Sequence, residues 1–398
     1  MSKYKGLVIS DIHVGAFDIH KLYDEFINVF IGYINNLKKL DFLIIDGDYF
    51  DRKFYLNDKE SIMAYKMMQD LIDTIKPFNT KLRIVYGTES HECNQYNVLS
   101  MMDLYDNMRI IKHVEEEDLF DDLKILYLPE EYLEDSDDYY KEFFNTPNKY
   151  DYVFGHGVIR EVMKDAVAHM STSKQKRMKA PIFKSNELEF ITKGEVYFGH
   201  YHLNYELNDK IFSVSSFSRW KFGEEGRKGF YELNVNTDKE KYNHKFIENT
   251  MADIYKTIGF GYSSDVFKDN EVMDRELSRI DKLVQDNIFQ HVRFEFNIPK
   301  DIENPESTID YIKERYKFSK DIKVEMTHGY IDEKREKQKE QIKLSNEKDS
   351  YIYDNNIKIP EKVSLFIKFE NDKDLPSSIV DDYLTKTVEE IMEETSDG

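Results

Sequence analysis

A single cysteine, Cys93, excludes an intramolecular disulfide and any thiolate zinc cluster, and makes a reducing compartment the default. Proline and glycine are sparse, at 8 and 16 residues, which excludes collagen-like and low-complexity classes. No apolar run approaches the roughly 20 residues of a membrane-spanning helix. The opening MSKYKGLVIS lacks the hydrophobic stretch and cleavage site of a signal peptide. The expectation is a cytoplasmic chain with no membrane association. Abundant Lys, Asn, Ile and Tyr suit an AT-rich genome, and for a viral chain the compartment would be the host cytoplasm. Excess positive charge is also missing: the formal net charge is −21. A protein gripping DNA mainly through a basic surface would not look like this. Either the substrate is not nucleic acid, or bound cations and local patches supply the attraction for phosphate.

Core material is plentiful, with 40% hydrophobic residues, 28 Tyr and 27 Phe. At 398 residues one core cannot organise the whole chain, and two or three domains are expected. Short apolar runs at Lys5–Ser10, Phe42–Asp46 and Leu82–Gly87 read as buried strands. Between them, Leu22, Phe26, Val29, Phe30, Tyr33 and Leu37 recur at helical spacing behind an Asp18 N-cap. Ile62, Tyr65, Met68, Ile72 and Ile75 mark a second helix ending near Pro77. Strands alternating with helices predict an α/β layered fold with much parallel pairing. Further strands are expected at Lys124–Leu128, Tyr152–Gly155, Glu195–Gly199, Ile211–Ser215 and Phe230–Val235. The shorter connections after Glu195 suggest antiparallel hairpins.

The pattern changes near residue 240. A helix over Asp265–Ile288, a strand alternating Val292, Phe294, Phe296 and Ile298, a helix over Glu306–Tyr316 and a strand through Ile322, Val324 and Met326 predict a small α/β unit. Catalytic residues are thus expected in 1–240 and a capping domain in 241–330. Residues 331–360 read as a polar linker. The final segment, 361–398, carries Ile379, Val380, Tyr383, Leu384, Val388, Ile391 and Met392 on one helical stripe.

Five short motifs sit at the ends of expected strands, where open α/β sheets place ligand-binding residues. They are Asp11-Ile12-His13, Gly47-Asp48-Tyr49-Phe50-Asp51, Gly87-Thr88-Glu89-Ser90-His91-Glu92, Gly155-His156-Gly157 and Gly199-His200-Tyr201-His202. Each supplies His or Asp, side chains favoured by divalent first-row metals. A lone Asp-x-His is more often turn chemistry, and a lone strand-end His is more often a satisfied polar residue. Five such motifs, each after an apolar strand, point to a metal centre.

This ordered set resembles the calcineurin-like metallophosphoesterases. The resemblance implies a two-sheet α/β sandwich flanked by helices, holding two metal ions. Asp11, His13 and His202 would hold the first ion, His156 and His200 the second, and Asp48 would bridge them. His91 would protonate the leaving oxygen, with Asp51 orienting its imidazole. Many family members carry Gly-Asn-His, the Asn oxygen binding the second metal. Here Ser90 stands in that place, so it binds poorly, acts through a water, or gives way to Asn94. Mn²⁺ is favoured by analogy, and Mg²⁺, Fe²⁺ or Zn²⁺ would also serve.

The Gly47–Arg52 stretch is close to the protein Ser/Thr phosphatase version of the second motif. However, the opening Asp-Ile-His-Val-Gly and closing Gly-His-Tyr-His are those of the nuclease and small-phosphodiesterase branches. Ser215–Glu225 followed by Lys228-Gly229-Phe230 resembles the segment closing the catalytic domain of SbcD-type exonuclease subunits. That resemblance implies a DNA exonuclease, with endonuclease activity as well, working in DNA repair, recombination or replication. Its implied partners are DNA, an SbcC-type coiled-coil ATPase docked by the C-terminal segment, and a second copy of the chain. Lys174, Lys176, Arg177, Lys179 and Lys184 form a basic cluster in an otherwise acidic chain. Arg219, Trp220 and Lys221 combine cation with stacking surface. Both are candidate DNA contacts, although a charge run is usually a solvated loop. Outside the nuclease class stand a small-molecule phosphodiesterase, a protein phosphatase and a non-catalytic metal-bound scaffold.

Overall fold

The computed structural model describes residues 3–55, 58–96, 105–133, 136–162, 181–260, 269–286, 289–297, 305–317 and 323–329. The polar linker at 331–360, the C-terminal segment at 361–398 and the cluster of Lys174, Lys176, Arg177 and Lys179 lie outside these residues. The chain divides into two compact units, Met1–Phe296 with Lys300–His328, and Asn297–Pro299 with Gly329–Gly398. The elements below lie in the first unit, save the last residue of two strands.

Alternating side chains explain the layering. β1 (Tyr4–Ile9) pairs in parallel with β2 (Phe42–Asp46), then β3 (Lys81–Val85) and β4 (Met108–Ile111) extend the sheet. Leu7, Ile9, Leu43 and Ile45 face a helical layer that buries Phe26, Phe30, Met68, Leu71 and Ile72. Val8, Phe42 and Ile44 face the other way, onto a second sheet. That sheet contains β5 (Glu115–Phe120), β6 (Leu123–Leu128) and β7 (Tyr150–His156). After the two-stranded pair β8 (Val158–Ile159) and β9 (Ile182–Phe183), it adds β10 (Thr192–Gly199), β11 (Tyr205–Glu206) and β12 (Ile211–Ser213). Tyr127, Tyr152, Phe154 and Tyr197 point inward to an aromatic seam between the sheets. Leu126, Val153, Val196 and Phe198 point outward under the helix Ser185–Ile191. β13 (Gly229–Asn236) and β14 (Lys241–Glu248) then return to the first sheet, beside β1. The chain is therefore mixed α/β, built on two six-stranded sheets.

Several expectations need correction. β10 and β12 run parallel, not as a hairpin, because β11 takes the antiparallel step between them. The boundary expected at 240 falls inside the β13–β14 hairpin. The first helix is α-helical only over Ile19–Glu25 and Gly32–Asn35, with a π-helical stretch at Phe26–Ile31 that turns Phe26, Phe30 and Ile31 into the core. The helix Lys59–Ile75 buries Ala64, Met67 and Leu71 with Met68, Ile72 and Ile75, while Ile62 is exposed. The small α/β unit gains an unexpected first strand, β15 (Tyr255–Phe260), parallel to β16 (His291–Asn297); β17 (Lys323–Gly329) completes its sheet. Helices Asn270–Asp286 and Pro305–Tyr316 connect these strands. Among the described residues no helix is long and apolar enough to cross a membrane.

Candidate metal centre

The C-terminal ends of β1, β2 and β3 in one sheet meet those of β6, β7 and β10 in the other. Two hydrogen bonds fix the meeting: the Glu130 N–H donates to Tyr86 O at 3.1 Å, and the His200 N–H to the Asp11 carboxylate at 3.0 and 3.1 Å, while within the first sheet the Asp11 N–H donates to Gly47 O at 3.1 Å. Asp11, His13, Asp48, His200 and His202 all have positive φ, between 48° and 94°. Such conformations cost energy for non-glycine residues and gather at functional sites. Glycine is required beside them for close approach. A Cβ on Gly47 would lie 2.1 Å from the His156 ring, and one on Gly87 would lie 2.3 Å from the Asp48 backbone nitrogen.

Three imidazoles share one arrangement. His13 Nδ1 lies 3.2 Å from Asp51 Oδ1, His156 Nδ1 2.9 Å from Glu130 Oε2, and His202 Nδ1 2.7 Å from Glu224 Oε1. An ionised carboxylate only accepts, so each Nδ1–H donates and each Nε2 is left to face inward. His13 Nε2 lies 2.9 Å from His202 Nε2, 3.7 Å from Asp11 Oδ1 and 3.6 Å from Asp48 Oδ2. His202 Nε2 is 3.4 Å from Asp11 Oδ1; His156 Nε2 is 3.4 Å from Asp11 Oδ1 and 3.5 Å from Asp48 Oδ2. Ligand atoms sharing one tetrahedral ion at ~2.0–2.1 Å stand ~3.4 Å apart. The donor set therefore fits metal ions. The compatible groups are Asp11, His13 and His202; His13, Asp48 and His91; Asp11, Asp48 and His156; and Glu130, His156 and His200.

The electrostatics agree. Burial works against charge on His13, but Asp11, Asp51 and Asp48 outweigh it and hold the imidazole up at about 9. Burial equally opposes ionisation of Asp11, yet His13, His156 and His202 keep its carboxyl well below the usual range. Glu92, in the third motif, behaves oppositely: burial and the nearby Asp48 push it up to about 8. It accepts from the Tyr49 N–H at 3.2 Å and the Tyr96 hydroxyl at 3.0 Å, bracing the turn that carries Asp48.

Asp51 is the first expected site residue to change role: it holds His13, not His91. His91 Nδ1 instead lies 3.0 Å from Asp48 Oδ2, with the ring one-third exposed. Ser90 is exposed on the short helix Glu89–Glu92. Thr88, directly after Gly87, takes the inward place, its N–H on Asp48 Oδ1 at 2.7 Å and its hydroxyl 3.0 Å from Glu130 Oε2. Asn94 turns its amide oxygen toward Lys112, at 3.5 Å. Cys93 merely donates to Ser90 O.

Arg219 cannot serve as the DNA contact expected of it. It is buried, and its guanidinium donates to the carbonyls of Glu224, Gly226, Ala252 and Asp253. Trp220 packs against His13 and His202, with ring centroids 4.9 and 5.0 Å away, and stacks parallel to Phe17. Lys221 is exposed over the Trp220 ring. Lys184 pairs with Glu187 at 2.6 Å. Sequence reasoning missed Glu130, Glu224 and Lys228. Glu130 follows the apolar strand β6 as the other site residues follow theirs, which was the available signal. Lys228 is fully buried, donating to His202 O and Ser216 Oγ at 2.7 Å each; burial brings its amine down to about 8.

No protein-family model and no curated protein matches this chain. Among solved structures, one crystal structure aligns over 62% of this chain and 100% of its own, at 16% identity and a TM-score of 0.35. A likeness that low carries no argument about fold or function.

Proposed function

We propose that this chain is a two-metal phosphodiesterase of the calcineurin-like type, with that family's sandwich fold, acting on DNA as the nuclease subunit of an SbcCD-like complex. The observation supporting it is the convergence of three carboxylate-backed imidazoles on the Asp11–Asp48 pair. Asp11, His13 and His202 would hold one ion, His156 and His200 the other, with Asp48 between them. Bound there, two ions, Mn²⁺ by preference, would supply charge for a phosphate and would lower the pKa of a water toward neutrality. His91 stands at the exposed edge with Nδ1 engaged by Asp48, leaving Nε2 to protonate a departing oxygen. Trp220 and Phe17 cover the flank beside His13 and His202. The ATPase partner and the second copy of the chain follow from the sequence resemblance alone.

The burial of Arg219 and the net charge of −21 favour a second reading, a phosphodiesterase for small substrates. One assay separates the two: Mn²⁺-dependent degradation of end-labelled linear duplex DNA, run beside bis-p-nitrophenyl phosphate. Degradation of DNA that falls ~10²–10⁴-fold in His91→Ala supports the nuclease and its proton donor. Cleavage of the small ester with intact DNA, also after adding a coiled-coil ATPase partner, selects the second reading. Cleavage of neither defeats both.

A further inference from the structure

Lysine is seldom buried without a partner, yet Lys228 is fully buried and no step of the proposed reaction uses it. Its ammonium carries three N–H donors and meets three acceptors, all beside or behind the metal centre. It donates to His202 O and Ser216 Oγ at 2.7 Å each, and its Nζ stands 3.5 Å from Glu224 Oε2. The other Glu224 oxygen, Oε1, lies 2.7 Å from His202 Nδ1. One ammonium thus holds His202 twice, directly by its carbonyl and, through Glu224, by its imidazole. The φ of His202 is 55°, a left-handed conformation that is costly for a residue with a side chain and persists only where the surroundings fix it. Lys228 is itself anchored from behind, its carbonyl accepting the Asn249 N–H at 2.7 Å. The Ser216 hydroxyl gives its own proton to Ser218 O at 2.9 Å, which leaves its lone pairs to Lys228. The free nitrogen of His202, Nε2, is left 3.4 Å from Asp11 Oδ1.

Resting on the two-metal reading above, we propose that Lys228 is a positioning residue for the ion held by Asp11, His13 and His202. Its place is behind the His202 ring, on the side away from Asp11. There the ammonium balances the buried Glu224 carboxylate, keeps one of its oxygens on His202 Nδ1, and pins the turn that carries the ring. Lys221 also reaches Glu224, with Nζ 3.4 Å from Oε1, but it is exposed and has no hold on the His202 main chain. A neutral side chain at 228 would leave Glu224 without its buried cation and the His202 carbonyl without this donor. None of the three contacts of Lys228 reaches His156 or His200.

Metal titration of the full-length chain tests this, with Mn²⁺ followed by calorimetry and Trp220 fluorescence, and Co²⁺ by visible absorption. Trp220 packs on His13 and His202 and so marks the first ion. Wild type is expected to take up two ions. Lys228→Met should weaken the ion that Trp220 reports about 10- to 100-fold, shift its Co²⁺ bands, and leave the other at wild-type affinity. The double variant Lys228→Met/Glu224→Gln leaves no buried charge unpaired and serves if the single variant does not fold. The same loss at one ion is expected of it, because the His202 carbonyl still lacks its donor. Thr80→Val, which removes a buried hydroxyl bond to Leu40 O before β2 and β3 begin, should lower Tm and keep both ions. Wild-type affinity for both ions in either variant at 228 would overturn the assignment, since Lys228 would then only tie the fold together. Equal weakening of both ions, or loss of the first ion in Thr80→Val as well, would overturn it too. A wild type that takes up one ion defeats the two-metal reading, while the assignment stands if Lys228→Met weakens that ion. A wild type that takes up none defeats both.

Discussion

Asp51 and His91 sit close together but serve different partners. Because Asp51 accepts from His13 Nδ1, its removal should act on the metal before it acts on the proton donor. Asp51→Ala is expected to weaken the first ion about 10- to 100-fold. Trp220, the sole tryptophan, lies 4.9 Å from the His13 ring, so its fluorescence reports loading directly during a Mn²⁺ titration. An unchanged midpoint would mean that His13 keeps its orientation without Asp51. Spacing could not reveal this pairing: Asp51 and His91 lie on different turns, and which imidazole the carboxylate meets depends on how those turns pack. The residues brought together at the centre were legible because each follows a strand and most have a glycine beside them. Glu130 also follows a strand, β6, but has no glycine beside it, and Pro129-Glu130-Glu131 reads as an ordinary polar turn. The two extra residues between Gly87 and Ser90 hid the fact that Thr88, not Ser90, points inward.

At the scale of elements, the buried strands were legible as apolar runs. β14 was not, because KYNHKFIE alternates exposed with half-buried positions and its inward face, Tyr242, His244 and Phe246, is only half-buried and interrupted by a histidine. It is held partly by polar ties to the second sheet. Tyr242 donates to Asp151 at 2.6 Å, and His244 Nδ1 lies 2.8 Å from Glu195 on β10. The Glu195 hydrogen bond raises the His244 pKa above its ordinary value, against a smaller opposing effect of burial. The folded chain therefore binds this proton more tightly than the unfolded chain. Stability from the pair is fully present below the unfolded value of 6.5 and is lost as pH rises through the higher folded value. His244→Gln should remove up to ~1 kcal/mol near pH 6 and markedly less near pH 9, given partial exposure. Thermal melts of both chains across that range would show it. A gap between the melting curves that widens with rising pH would contradict the pairing.

For the whole molecule, the −21 charge must be reconciled with a polyanionic substrate. Many cations in the described part are already committed: Lys5 to Glu232, Lys66 to Asp70, Lys256 to Glu225, and Arg219 to backbone carbonyls. Lys221, though exposed, is itself paired with Glu224 at 3.4 Å, so attraction for phosphate then falls mainly to metal ions. Each phosphate neutralised by a lysine or arginine adds ~0.9 to the steepness of log K against log salt. Binding of a labelled DNA duplex to His91→Ala, followed by anisotropy, is expected to need Mn²⁺ and to show a slope of about −3 or shallower. Manganese-free, chelated protein should bind far more weakly at the same ionic strength. A slope near −7 that persists without metal would require an extended basic surface. In that event the 163–180 segment, with Lys174, Lys176 and Arg177, becomes the place to look. Charge reversal there should then flatten the slope and weaken all DNA sequences alike, while leaving metal titration at Asp11 and Asp48 unchanged.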